Sequence, residues 1–143
     1  MIKNFAELQE RVRSSEPLVV SVAQAADQEV LLSVKAAADQ GFIKPVLTGD
    51  RERIEELCGC IGLKPLEILQ AGTEEEAVER AVRAVHDGSA QVLMKGLVNT
   101  SVYMRGILNR EWGLRTGRLL SMMAVYEAPG YHKLLFCSDS GIN

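Results

Sequence analysis

A concentration of cationic side chains is the feature of this sequence most suited to chemistry. Residues 91–118 contain five cations and a single carboxylate, whereas the 143-residue chain as a whole carries a net charge of −3. The cations are Lys95, Arg105, Arg110, Arg115 and Arg118. Like charges a few ångströms apart repel each other by about 1 kcal/mol per pair even in water. A segment that gathers them is therefore typical of a site that holds an anion.

The first part of this window resembles the ligand edge of an α/β protein. Residues 92–94 form a short apolar run that predicts a buried strand. Lys95 and Gly96 follow it, and Asn99 and Thr100 then offer N-cap chemistry for a helix. A strand, a small-residue turn and a helix N-terminus present backbone N–H groups to anions. Lys95 would add a point charge and Gly96 a close backbone approach. A solvated lysine and a plain turn are the alternatives.

The second part of the window, Leu-Arg-Thr-Gly-Arg at residues 114–118, is the more specific pattern. Arg115 and Arg118 carry guanidinium groups that can grip phosphate oxygens bidentately. Thr116 adds a hydroxyl donor, and Gly117 makes the Thr116–Gly117 segment between the two arginines flexible. The alternative is an exposed basic loop. For Arg105, which falls on a predicted helix, a structural salt bridge is the alternative to ligand binding.

Composition excludes several classes of protein. An apolar fraction of 47% and a charged fraction of 24% are those of a soluble globular domain. A pI near 5.4 argues against general binding to nucleic acid or to a membrane surface. The sequence contains neither a run of about 18 apolar residues nor a secretory signal, so a cytoplasmic chain is expected. Three cysteines predict neither a disulfide framework nor a metal site, and Cys137, Met122 and Met123 are expected in the core.

The elements that position these residues alternate between strand and helix. Strands are predicted at 18–22, 45–48, 66–69 and 92–94, with Glu67 indicating an edge. Helices are predicted at 5–12, after Asp27, after Asp50, after Thr73 and at 100–109. Two further strand-like runs, 119–126 and 133–138, suit an antiparallel pair near the C-terminal end. The expected fold is an α/β protein, a three-layer α/β/α arrangement around a mainly parallel sheet.

With these motifs in view, the chain resembles the phosphate acetyltransferase/butyryltransferase family, and more closely its butyryl branch. The resemblance covers the whole chain and rests on residues 45–50, 93–96, 114–121, 129–131 and 138–143. Members of that family are about twice as long. Residues 1–143 are therefore expected to be one α/β domain that forms the N-terminal part of a two-domain enzyme. The absence of a closing helix after the last strand suggests the same.

The resemblance implies a reaction, a fold and roles for residues. The reaction is reversible acyl transfer between coenzyme A and inorganic phosphate, with coenzyme A as substrate or product and no bound cofactor. The fold is that of isocitrate and isopropylmalate dehydrogenases, usually as a homodimer. Lys95, Arg115 and Arg118 would cradle phosphate, with Asn99, Thr100 and Ser121 as neutral donors. Asp139 would orient a cation or accept the thiol proton.

Two other functions remain open at this point. One is a non-catalytic α/β module that binds coenzyme A or phosphate or serves as a dimerisation partner. The other is an acyl-phosphate-dependent lipid enzyme of related fold, which the motifs fit less well. A serine hydrolase, a dinucleotide-binding protein and a P-loop protein are unsupported, because their signature motifs are absent from the sequence.

Overall fold

The computed structural model describes residues 1–139, which fall into two compact units. The larger unit is Pro17–Arg115, and the smaller contains Met1–Glu16 and the described residues from Thr116 onward. The helices are α1 (Phe5–Arg13), α2 (Gln28–Asp39), α3 (Arg51–Ile61), α4 (Glu74–His86) and α5 (Thr100–Ile107). The strands are β1 (Leu18–Ala23), β2 (Ile43–Gly49), β3 (Glu67–Gln70), β4 (Val92–Lys95), β5 (Met123–Tyr126) and β6 (Leu135–Ser138).

The larger unit is built on a parallel four-stranded sheet in the order β3-β2-β1-β4. This confirms the parallel sheet expected from the sequence. Glu67 lies on β3, which pairs only with β2 among the described strands, so the predicted edge is also confirmed. The chain adds β2 and β3 on one side of β1 and then returns to place β4 on the other side. The strand order therefore reverses between β1 and β4.

Helices cover both faces of this sheet, as the three-layer arrangement requires. On one face Val22 and Leu47 of the sheet pack with Leu31 of α2 and Ile54 of α3. The second face has its own core cluster, which consists of Ala23, Val78, Ala81, Val82 and Val98. Each large side chain buried in this way stabilises the fold by about 2 kcal/mol. Within the part of the chain that the structure describes, no helix is long and apolar enough to cross a membrane.

The helices of the larger unit begin at the residues that capping chemistry predicts. Asp27, Asp50, Thr73 and Asn99 each accept a hydrogen bond from a backbone N–H of the first helical turn. The start of α4 resembles a capping box, in which the N-cap hydroxyl and a glutamate three residues later bond reciprocally to backbone N–H groups, but one detail differs. The Glu76 carboxylate accepts from the N–H of Gly72 at 2.8 Å and not from that of Thr73, so it satisfies a donor one residue earlier.

The contact between α4 and α5 depends on a glycine. A Cβ at Gly106 would lie 2.3 Å from Cγ1 of the buried Val78. We expect Gly106→Ala to destabilise the chain by about 2 kcal/mol, because overpacking outweighs the better helix propensity of alanine. Urea unfolding would measure the loss. Combined with Val78→Ala, the substitution should cost less than the two single changes added together, and strict additivity would contradict a direct clash.

The smaller unit pairs β5 with β6 as an antiparallel ribbon, confirming the predicted pair. The first strand begins only at Met123, later than expected. The N–H of Phe5, in the first turn of α1, donates to the Glu127 carboxylate at 2.7 Å. The expectation that Cys137 and Met123 belong to the core is wrong, since Cys137 is exposed and Met123 is 71% exposed. An apolar run in a two-stranded ribbon leaves a face uncovered.

Candidate functional site

Because the strand order reverses between β1 and β4, the loops that follow these two strands diverge at the carboxyl edge of the sheet in the larger unit, and this place is termed the β1–β4 crevice. The last residues of the two strands that flank it, Ala23 and Lys95, are direct register partners. From here the chain leaves β1 towards α2 on one face and leaves β4 towards α5 on the other. Open α/β sheets bind ligands at this position, where neighbouring loops diverge. Lys95 therefore lies at the carboxyl edge of the sheet, as the sequence predicts, and ligand binding there stays a prediction.

The turn after β4 is bonded directly to the end of β1. The N–H of Gly96 donates to the carbonyl of Ala23 at 2.9 Å, and the N–H of Leu97 donates to that of Gln24 at 3.0 Å. A Cβ at Gly96 would lie 2.2 Å from the Gln24 carbonyl oxygen and 2.6 Å from the Ala23 carbonyl oxygen. Gly96 thus allows the backbone of the turn after β4 to approach the end of strand β1 closely. The turn that holds Lys95 in place requires this glycine.

Gln24, directly after β1, has a backbone conformation that sequence reasoning missed. It has a φ of +57°, one of two non-glycine residues with positive φ among those described. Its N–H donates to the hydroxyl of buried Thr48 at 3.2 Å. Its side-chain Oε1 is buried and has no hydrogen-bond partner in the described structure. No local sequence pattern predicts this conformation, because it depends on hydrogen bonds to Thr48 of β2 and to Leu97 after β4, which are remote from Gln24 in the sequence.

Helix α5 begins beside this turn with Asn99 as its cap. The Asn99 side-chain oxygen accepts from the Ser101 N–H at 2.9 Å and from the Ser101 hydroxyl at 2.8 Å. The Asn99 N–H donates to the carboxylate of Glu74 at 3.3 Å. Thr100, the first helical residue, is exposed. The amide oxygen of Asn99 therefore serves the cap, and Glu74 already occupies one backbone donor of the predicted anion site.

The cations of residues 91–118, which include the predicted site cations and the surface residue Arg110, are not neutralised by carboxylates of the described part of the chain. Among the described residues, none of Lys95, Arg105, Arg110, Arg115 and Arg118 forms an ion pair, and all five side chains are exposed. Arginines on earlier helices behave differently, since Arg53 pairs with Glu56 and Arg83 with Glu79. The salt bridge considered for Arg105 is not formed within that part of the chain. Unneutralised cations favour an anionic ligand.

Arg105 and Arg115 are the predicted site arginines that belong to the larger unit. Arg105 lines a cavity of about 170 Å³ between α4 and α5, together with Trp112. Arg115 directly follows Leu114, whose N–H donates to the carbonyl of Ile107 at the end of α5. Since α5 begins at the carboxyl edge of the sheet and runs away from it, the backbone of Arg115 lies at the opposite edge. Within this unit the structure does not bring Arg115 and Lys95 together.

The remaining predicted residues belong to the smaller unit. Gly117 has a φ of +76°, and Thr116, Arg118 and Ser121 are exposed. Asp139 has a φ of +57°; its carboxylate accepts from the Met122 N–H at 3.3 Å, and its own N–H donates to the Met122 carbonyl at 3.0 Å. These bonds extend the β5–β6 ribbon. Residues 140–143 of the closing motif lie outside the described part of the chain.

Titratable groups elsewhere have a structural explanation. Burial raises the pKa of the Cys58 thiol, which packs in the core between α3 and the sheet. Burial also raises the pKa of the Tyr103 hydroxyl on α5. Both groups are therefore neutral at pH 7 and suit packing rather than nucleophilic chemistry. Among residues 1–139 no cluster of three or more metal-ligating side chains is present.

Relatives of this chain are found among curated proteins, although no profile of a protein family matches it. It is 39% identical to a phosphate butyryltransferase of Clostridium beijerinckii over 145 residues, covering 100% of this chain and 48% of the relative. It is 44% identical to a probable phosphate butyryltransferase of Bacillus subtilis, covering 87% and 42%. A phosphate acetyltransferase of Rhizobium meliloti is 31% identical, covering 92% and 42%. The chain thus spans about half the length of the curated relatives it matches.

Solved structures show the same fold. A branched-chain phosphotransacylase from Enterococcus faecalis V583 superimposes with a TM-score of 0.71 at 24% identity, covering 88% of this chain and 44% of that structure. A phosphotransacetylase from Streptococcus pyogenes superimposes with a TM-score of 0.68 at 14% identity, covering 92% and 50%. At these identities the likeness concerns the fold, which in both cases is the α/β architecture described above.

Proposed function

This chain is homologous to the phosphate butyryltransferases and phosphate acetyltransferases over about half of their length, and from that premise we propose that it is the phosphate-holding part of a phosphate acyltransferase. In the proposed reaction a phosphate oxygen attacks the thioester carbonyl of butyryl-CoA. The tetrahedral intermediate then expels the coenzyme A thiolate and leaves butyryl phosphate. The observation that carries the proposal is the 39–44% identity to phosphate butyryltransferases across 87–100% of the chain.

The geometry at the β1–β4 crevice supports this role. Attack by phosphate on a thioester requires positive charge that orients the nucleophile and stabilises the developing oxyanion. Lys95 lies at the crevice with an exposed side chain, beside the N-terminus of α5. We propose that Lys95, Asn99 and Thr100 contribute from the larger unit. Arg105, Thr116, Gly117, Arg118 and Ser121 remain predicted phosphate contacts, and Asp139 remains a predicted proton acceptor. Arg115 was predicted to join Lys95 in the cradle, but its backbone lies at the opposite edge of the sheet, so it is not assigned to the same phosphate.

The wider setting is also part of the proposal. We propose that the chain corresponds to the N-terminal half of a two-domain cytoplasmic enzyme that acts as a homodimer. Coenzyme A would be its substrate or product, with no bound cofactor. The exposed cations of residues 91–118, none of which forms an ion pair with another described residue, also suit a second candidate function. On that alternative these residues form a module that binds phosphate or coenzyme A without catalysing transfer.

Thiol release from butyryl-CoA, followed with a chromogenic thiol reagent, tests whether the chain catalyses the transfer by itself. The purified chain is assayed with and without inorganic phosphate. Because Cys60 and Cys137 are exposed, a reaction without butyryl-CoA must be subtracted to remove the chain's own thiols. Phosphate-dependent release would establish the transferase. Binding of phosphate without release is expected of a phosphate-holding half as well as of a non-catalytic module, and neither release nor binding would contradict both.

Arg118 provides a first mutational test of phosphate binding. We expect Arg118→Ala to weaken phosphate binding about tenfold, the effect of losing one charge-assisted contact. The unfolding midpoint should stay unchanged, since the Arg118 side chain is exposed and forms no ion pair with the other described residues. Calorimetric titration with phosphate measures the affinity. Arg110→Ala is the matched control, and equal affinities of the two variants would remove Arg118 from the site.

A further inference from the structure

The first residue of helix α4 brings a carboxylate to the proposed phosphate site. Oε2 of Glu74 accepts a hydrogen bond of 3.3 Å from the backbone N–H of Asn99, the cap of α5. We propose that Glu74 is a specificity residue of that site, where its carboxylate accepts the proton of a bound phosphate and disfavours sulfate. The inference rests on the proposed function, because it concerns the anion that the same site selects.

The fold places Glu74 at this position. Helices α4 and α5 follow the parallel strands β3 and β4, so both helices begin at the carboxyl edge of the sheet. They also cover the same face of the sheet, where Val78 of α4 and Val98, just before α5, belong to one core cluster. Only the short turn of residues 96–98 separates Lys95 from Asn99. The carboxylate of Glu74 therefore lies beside the donors that we assign to phosphate.

Stabilisation of the α4 dipole does not account for this contact between helices. Glu75 and Glu76 lie in the same first turn and supply the same negative charge. The Glu76 carboxylate bonds to Gly72, directly before its own helix, whereas that of Glu74 reaches a different helix. Within residues 1–139, the bond from Asn99 is the one polar contact of the Glu74 carboxylate, and Glu74 is partly exposed. Its other oxygen, Oε1, is therefore available to a ligand.

The chemistry of two tetrahedral anions shows what a carboxylate does at such a site. An ammonium group and backbone N–H groups donate to any anionic oxygen, so Lys95 and the start of α5 suit phosphate and sulfate alike. Inorganic phosphate carries at least one proton at pH 7 and can donate it to a carboxylate, whereas sulfate carries none. Beside Glu74 a sulfate oxygen meets a negative charge without a proton between them and is repelled. A carboxylate among these donors therefore selects phosphate.

Calorimetric titrations with phosphate and with sulfate test this inference, at pH 7 and at an ionic strength held constant with chloride. We expect the native chain to prefer phosphate by about tenfold or more, the effect of one charge-assisted hydrogen bond. In Glu74→Gln the preference should fall to about twofold or less, mainly because sulfate binds more tightly. Glu52→Gln is the matched control, because Glu52 is exposed in the first turn of α3, on the other face of the sheet. It should keep the native preference.

A second variant and the stability of both keep a folding defect apart from a change in specificity. Glutamine retains an oxygen that can accept from the Asn99 N–H, so Glu74→Gln should unfold close to the native temperature. Glu74→Ala removes the charge without adding an amide donor and should also lose the preference. Thermal unfolding would verify that each variant is folded at the temperature of the titrations.

Two results would overturn the inference while leaving the proposed function standing. One is phosphate binding to the native chain without a preference over sulfate, or with a preference that both variants keep. The other is an equal gain in affinity for both anions in the variants, because Glu74 would then only compete with them for the Asn99 N–H. If the native chain bound neither anion, the proposed phosphate site would fail together with this inference.

Discussion

Gly96→Ala is expected to destabilise the chain by about 3 kcal/mol, at the upper end of the usual overpacking cost. The added methyl group would lie 2.6 Å from the carbonyl oxygen of Ala23, the last residue of β1, and 2.2 Å from the carbonyl oxygen of Gln24, which follows it. Neither oxygen can move by rotating a side chain, so the turn must separate from the strand. The hydrogen bonds from Gly96 to Ala23 and from Leu97 to Gln24 would be weakened at the same time.

Urea unfolding of the native chain and of Gly96→Ala would measure this loss. Gly59→Ala is the matched control, because Gly59 lies in α3 and a Cβ added there would meet no atom within 4 Å beyond the backbone of its own helix. Alanine there should raise the stability by about 0.5–1 kcal/mol through helix propensity alone. If Gly96→Ala unfolded at the native urea concentration, the close contact between the two strand ends would be contradicted.

Lys95→Met should weaken phosphate binding by about tenfold or more while leaving the fold intact. A cation placed at the crevice contributes a charge-assisted contact to phosphate, and methionine retains much of the side-chain length without the charge. The Lys95 side chain is exposed and forms no ion pair with the other described residues, so its loss should change the free energy of unfolding by less than about 0.5 kcal/mol.

Calorimetric titration with phosphate at two salt concentrations would test the role of Lys95. Lys44→Met provides the comparison, because Lys44 is also an exposed strand lysine but lies near the start of β2, at the opposite edge of the sheet. The native chain and Lys44→Met should both lose affinity as salt rises, whereas Lys95→Met should respond less. Identical affinities for the two variants would show that phosphate binds elsewhere.

The sequence was sufficient to determine the elements and their class. Capping side chains at Asp27, Asp50 and Thr73 act on N–H groups three residues away, so they can be recognised locally. The spacing of apolar residues that predicts the strands and helices also repeats every two to four residues, so it too can be recognised locally. Alternation of these elements then predicts a parallel sheet with two covered faces, which is the fold observed. The family resemblance also followed from local motifs such as residues 114–118.

Only the tertiary structure decided how these elements combine. The strand order made Lys95 the register partner of Ala23 and let the N–H of Gly96 donate to the carbonyl of Ala23. Gln24 adopts a left-handed conformation at the same strand end. The tertiary structure also placed the backbone of Arg115 at the edge opposite Lys95, although both lie in one cationic window of sequence. The physical reason is that such contacts join residues far apart along the chain. Local periodicity and capping carry no information about which distant strand ends will meet.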